Sequence, residues 1–100
     1  MQMLKPTKEE RKNMIAVVRN GCCEIRGGAG KPRVTLPPMN IDEAILHRDH
    51  VAVVLRNGYC QLYNTEGKLV TTYSANDAKL VRFVGDDQLA IHRRNGRVSA

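Results

Sequence analysis

The tripeptide Arg-Asn-Gly occurs three times in a chain of 100 residues, at Arg19-Asn20-Gly21, Arg56-Asn57-Gly58 and Arg94-Asn95-Gly96, with spacings of 37 and 38. Each copy follows an apolar run: Met14-Ile15-Ala16-Val17-Val18, Val51-Ala52-Val53-Val54-Leu55 and Leu89-Ala90-Ile91-His92-Arg93. Nine residues after each of the first two glycines comes Gly-Lys, at Gly30-Lys31 and Gly67-Lys68. Matched flanks and a second matched anchor identify an internal repeat. Asn-Gly between β-branched runs is a strong hairpin signal, because both central residues of a type I′ turn need φ > 0. The chain is therefore expected to fold as hairpins.

A two-residue loop at Asn57-Gly58 sets Leu55 opposite Cys60, Val54 opposite Gln61 and Val53 opposite Leu62. Cross-strand partners share a face. One face then carries Val51, Val53, Leu55, Cys60 and Leu62. The other carries Ala52, Val54, Arg56, Tyr59, Gln61 and Tyr63, and is only half polar, so the sheet is expected to be covered on both sides. Ala44-Ile45-Leu46-His47 turns through Arg48-Asp49 into this hairpin, and Asn64-Thr65-Glu66-Gly67 returns the chain into Lys68–Tyr73. The middle unit is thus a four-stranded up-and-down meander. In the third unit, Val81-Arg82-Phe83-Val84 turns through Gly85-Asp86-Asp87 into Leu89. Little helix is expected. Thr7–Asn13, with capping-box spacing at Thr7 and Glu10, is the best helix candidate, and a degraded first strand is its alternative.

Short antiparallel strands in fours, polar turns and this period resemble a β-propeller blade, with Val81–Val98 similar to the first half of one. The Trp-Asp and Gly-His signatures of that family are absent. The resemblance implies an all-β fold of blade-like meander units at about residues 8–36, 41–75 and 78–100 of one domain, with 1–7 as a possible closing strand. A three-fold β-prism or a β-trefoil-like fold is the alternative. The sugar motif of the lectin prism is missing, since only Tyr63 of it survives. Three blades cannot close a ring, for propellers typically need four to eight. The resemblance therefore implies either a homodimer with six blades or a piece of a longer propeller.

Composition supports a protein completed by a partner. With Trp 0, Phe 1 and Tyr 3, the core must be built from Val, Ile, Leu, Met, Ala and Cys. No apolar run approaches the ~18 residues of a membrane span, and no signal peptide is evident. Three cysteines without a Cys-x-x-Cys pair are neither a disulfide framework nor a thiolate metal site, which points to a reducing, cytoplasmic setting. The net charge is +6, carried by residues 1–36 and 76–100, while residues 37–75 sum to −1. That balance is compatible with a polyanion partner.

Arg19, Arg56 and Arg94 precede equivalent turns, and Arg93 and Arg97 thicken the set in the third unit. They form a candidate rim for phosphate, nucleic acid or an acidic protein surface. Arg93 stands where Val18 and Leu55 sit in the other units, either exposed or paired with Asp86 or Asp87. Cys23, Cys60 and Val98 are equivalent and read as core filler. Gly27-Gly28-Ala29-Gly30-Lys31 lacks the spacing of a phosphate loop, and is read as the second hairpin turn of its unit. His47 and His50 are expected on opposite faces, which disfavours a shared metal. His92 is expected to bond Ser99 across its hairpin.

No nucleophile–base set or carboxylate pair can be assembled, and no cofactor or small-molecule substrate is inferred. The expected function is a non-catalytic binding or assembly module for a protein partner or a second copy of itself. Nucleic-acid binding through the arginine rim, with Tyr59, Tyr63 and Tyr73 available for stacking, is the alternative. Carbohydrate binding suits a three-fold fold but has no motif here.

Overall fold

The computed structural model describes residues 14–27, 32–85 and 88–99. Ten strands follow in order: β1 Ile15–Arg19, β2 Cys22–Arg26, β3 Pro32–Thr35, β4 Ile41–His47, β5 His50–Leu55, β6 Cys60–Asn64, β7 Leu69–Thr72, β8 Ala78–Phe83, β9 Leu89–Arg93 and β10 Val98–Ser99. They form three antiparallel sheets, β1-β2-β3, β4-β5-β6-β7 and β10-β9-β8. The fold is all-β, and no helix occurs among the described residues. The Thr7–Asn13 candidate, the possible closing strand at 1–7, and Asp86 and Asp87 lie outside the described residues. So does the Gly30-Lys31 turn, although β2 and β3 on either side of it pair antiparallel.

The sheets pack face to face in chain order. The back of a sheet is here the face toward the preceding sheet, and the front is the face toward the next. On its back, the middle sheet buries Ile41, Val51, Val53, Leu55 and Tyr63 against Cys23, Ile25 and Leu36. On its front, Ala52, Val54, Cys60 and Leu62 pack with Ala78, Val81, Leu89 and Ile91. β5 is apolar at every position from Val51 to Leu55 because both of its faces are covered.

The three copies of Arg-Asn-Gly make two different turns. In the first, Asn20 (φ 52) and Gly21 (φ 80) form the expected two-residue loop, with Arg19 opposite Cys22. In the second, Gly58 (φ 90) has positive φ and Asn57 does not. The Leu55 N–H donates to Tyr59 O at 2.8 Å, and the Gly58 N–H donates to Leu55 O at 2.9 Å. This is the three-residue loop ending in a left-handed glycine. Asn57 Oδ1 accepts from the Tyr59 N–H at 3.1 Å, and Asn95 Oδ1 accepts from the Arg97 N–H at 2.9 Å, so the third copy follows the second.

One extra loop residue slips the register by one, which moves every side chain of the return strand to the other face. The expected pairs at Asn57-Gly58 are corrected to Val54↔Cys60, Val53↔Gln61, Ala52↔Leu62 and Val51↔Tyr63. Cys60 and Leu62 face forward, while Gln61 and Tyr63 face back. The physical reason lies in β5. With all its positions apolar, its pattern does not discriminate between registers, and the turn decides. In β1 and β2 the pattern does discriminate, since only the shorter loop sets Ala16 and Val18 on the same face as Ile25 and Cys23. Structural equivalence in the leading strand therefore runs Val18–Val54–His92 and Arg19–Leu55–Arg93.

Candidate functional site

The turns clasp successive units together. The Ile41 N–H donates to Gly21 O at 2.8 Å, and the Ala78 N–H donates to Gly58 O at 2.9 Å. In return, the Arg56 N–H donates to Asn40 O at 2.7 Å and the Arg94 N–H to Asp77 O at 2.9 Å. A β-carbon on Gly21 would stand 2.1 Å from Met39 O, and one on Gly58 would stand 2.1 Å from Asn76 O. At Gly96, whose φ (+85) is likewise positive, nothing among the described residues lies within 4 Å. Two of the three clasps are filled and the third is open.

This chain of clasps sets the turns along one edge of the stack. Arg19, Arg56, Arg94 and Arg97 are all exposed there. The Arg56 guanidinium lies over the preceding turn, 3.5 Å from where a Gly21 side chain would begin. Arg93 departs from the set. Its Nε donates to Asp77 Oδ1 at 2.6 Å, a half-buried ion pair between β9 and the segment entering β8. It stands on the back of the third sheet at the position of Leu55, so Asp77 is its partner.

The two ends of the stack differ from its middle. Cys23 and Cys60, at equivalent front positions, are fully buried, whereas Val98 in the third sheet is 56% exposed. On the backs of the sheets, Val51 and Leu89 are buried, and their counterpart Ile15 is 52% exposed. The sequence alignment already paired Cys23 with Cys60 and Val98. The exposure of Val98 was not legible, because it depends on which sheet follows.

Other candidates are placed as follows. Cys23 and Cys60 are buried, and burial pushes their thiols up from 9.0 to about 11 and about 12, so both are unreactive packing groups. The neighbouring Glu24 carboxylate adds to the rise at Cys23. Tyr63 is buried and its hydroxyl donates to Gln61 Oε1 at 2.7 Å, which removes it from any stacking surface. Tyr59 is exposed. His47 and His50 are direct cross-strand partners, so they share a face, because the Arg48-Asp49 turn falls between them. His47 stacks on Phe83 with ring centroids 5.0 Å apart. No group of three or more His, Cys, Asp or Glu among the described residues is placed to hold a metal ion. His92 lies opposite Val98 rather than Ser99, by the same one-residue register slip.

A groove of about 480 Å³ runs between β4 and β8, with Glu43, His47, Arg82 and Phe83 in its lining. No periodicity or motif in the sequence pointed to it, since it joins strands of two different sheets. Among the described residues, no helix is long and apolar enough to cross a membrane. Comparison with protein-family models, curated proteins and solved structures finds no match, so the surfaces are read from their own geometry.

Proposed function

We propose that this protein is a non-catalytic, cytoplasmic assembly module of blade-like repeats that binds protein through the uncovered ends of its sheet stack. The observation that carries this reading is the exposure of Val98 and Ile15 at positions buried wherever a neighbouring sheet is present. Apolar side chains in repeat-equivalent core positions favour a protein partner, since covering them gains ~25 cal/mol per Å² of apolar surface. The test is the size of the tagged protein in an extract of the cell that makes it. The wild type is expected to elute well above its monomer mass of 11.2 kDa, with Val98→Glu eluting smaller. Elution of the wild type as a monomer overturns the reading.

A second reading, anion or nucleic-acid binding, rests on the alignment of Arg19, Arg56, Arg94 and Arg97 along one edge. Phosphate contacts give binding that weakens steeply with salt. A triple Arg19/Arg56/Arg94→Ala variant is expected to lose RNA binding on filters and to flatten the salt slope. Equal binding and slope in both proteins defeats this reading.

A further inference from the structure

We infer that the two uncovered ends belong to one interface: the front of the third sheet receives the back of the first sheet of a second copy, head to tail. The inference rests on the assembly reading and names the partner. Its ground is that the same front-to-back contact already occurs twice inside the chain.

The back of the first sheet carries the residues of a covered back. Ile15, Val17 and Arg19 stand where Leu89, Ile91 and Arg93 stand in the third sheet, a match of type at every position. In the third sheet Leu89 and Ile91 are buried against the middle sheet. An arginine at the end of this row is compatible with such a contact, because Arg93 pairs with Asp77 beside it. On the neighbouring strand, Glu24 and Arg26 hold the positions of Gln61 and Tyr63. Both pairs bond internally, Arg26 Nη2 to Glu24 Oε2 at 3.2 Å and Tyr63 Oη to Gln61 Oε1 at 2.7 Å. The Gln61–Tyr63 pair lies on a covered back, and the Glu24–Arg26 pair is its charge-balanced counterpart. Arg26 Nε is buried there without an acceptor.

The front of the third sheet answers it. Val98 takes the position of Cys23 and Cys60, and Ala90 that of Ala52, so the face keeps the small residues that let the next sheet approach. Gly96 has the left-handed φ of the two clasp glycines, +85 against +80 and +90, and its cradle is empty among the described residues. Arg82 and His92 replace Ile45 and Val54, and Arg82, which is exposed, can carry its charge to the rim along its apolar stem. A head-to-tail contact forms a ring if its rotation closes. Each copy has three sheets among its described residues, so two copies supply six, inside the range of about four to eight that closed rings of four-stranded sheets use.

The experiment is the solution mass of the purified full chain by light scattering at micromolar concentration, for the wild type, Ile15→Glu, Val98→Glu and an equal mixture of the two variants. Both side chains are exposed in the single chain, and circular dichroism confirms that each variant keeps the β signal. The wild type is expected at twice 11.2 kDa and each variant alone at 11.2 kDa. In the mixture, one interface joins an unaltered front to an unaltered back, so a dimer returns. A monomeric wild type, a dimer that survives either single variant, or a mixture that stays monomeric overturns the inference. A purified monomer that is nevertheless large in the cell extract leaves the assembly reading standing and removes only the second copy as partner.

Discussion

The middle sheet and the two outer sheets are all antiparallel meanders, of four strands in the middle and three on either side, and they differ in environment. In β4–β7 the two central strands are covered on both faces, with β5 buried without interruption from Val51 to Leu55, while the edge strand β7 is exposed at all four positions. In the outer sheets the inward faces are mainly apolar, with Arg93 and Ser99 of the third sheet as polar members, while the outward faces mix Ile15, Val17 and Val98 with Arg19, Glu24, Arg82 and His92. Burial in this protein is thus a property of position in the stack more than of the repeat itself. A side chain such as Val98 is exposed only because no sheet follows it among the described residues.

The largest effect that sharpens this comparison is expected at the turn glycines. In Gly58→Ala, the β-carbon must displace the Asn76 carbonyl at a left-handed φ and disrupt the Ala78 N–H bond, a loss of about 3–5 kcal/mol. Gly96→Ala meets no neighbour in the single chain and should cost only the backbone strain, ~1 kcal/mol. Urea midpoints of the two variants measure the contrast, and equal losses would remove the filled-versus-open distinction.

The next effect compares core positions. Leu62→Ala empties a site closed on all sides and should cost about 3 kcal/mol, whereas Val98→Ala should stay within ~0.5 kcal/mol for the isolated chain. Thermal unfolding at a concentration where the chain is monomeric checks both.

Alkaline pH gives a third contrast. The Cys23 and Cys60 thiols are raised on folding, so the folded state holds their protons where the unfolded chain has released them. Their stabilisation is complete below pH 9.0 and is lost as pH rises toward about 11 and about 12. The urea midpoint of the wild type should fall over this window faster than that of Cys60→Ala, and parallel curves would contradict the burial of this thiol. A small effect is expected at the ion pair: Asp77→Asn removes the charge partner of a partly exposed pair and should cost about 0.5 kcal/mol, read by chemical denaturation at low and high salt.

Much of the architecture was legible in the chain. The repeat, the all-β class, the four-stranded middle meander and its two covered faces follow from Arg-Asn-Gly and the apolar runs before it. The register after Asn57 was not legible, because Val51–Leu55 is apolar on both parities and a tripeptide compatible with two loop lengths precedes Tyr59. The His47–His50 pairing was missed for a related reason. The two histidines are three apart in the chain, but the Arg48-Asp49 turn between them sets them opposite each other. Of the arginines that the repeat aligns, Arg56 and Arg94 hold equivalent loop positions, whereas Arg19 is the strand counterpart of Leu55 and Arg93. Arg93 was separable only in part, since its alignment with Leu55 pointed away from the rim but could not supply Asp77, which enters β8 sixteen residues earlier in the chain.

By itself, the sequence determined where the described strands lie and where turns join them, because φ preferences of Asn-Gly and runs of β-branched residues act over a few residues. Only the tertiary structure decided which face of each strand is inside, which turn glycines are wedged under a neighbouring carbonyl, and which apolar positions remain open. Those outcomes depend on what packs against a sheet, and a repeat written three times carries the same local information at a covered end and an uncovered one.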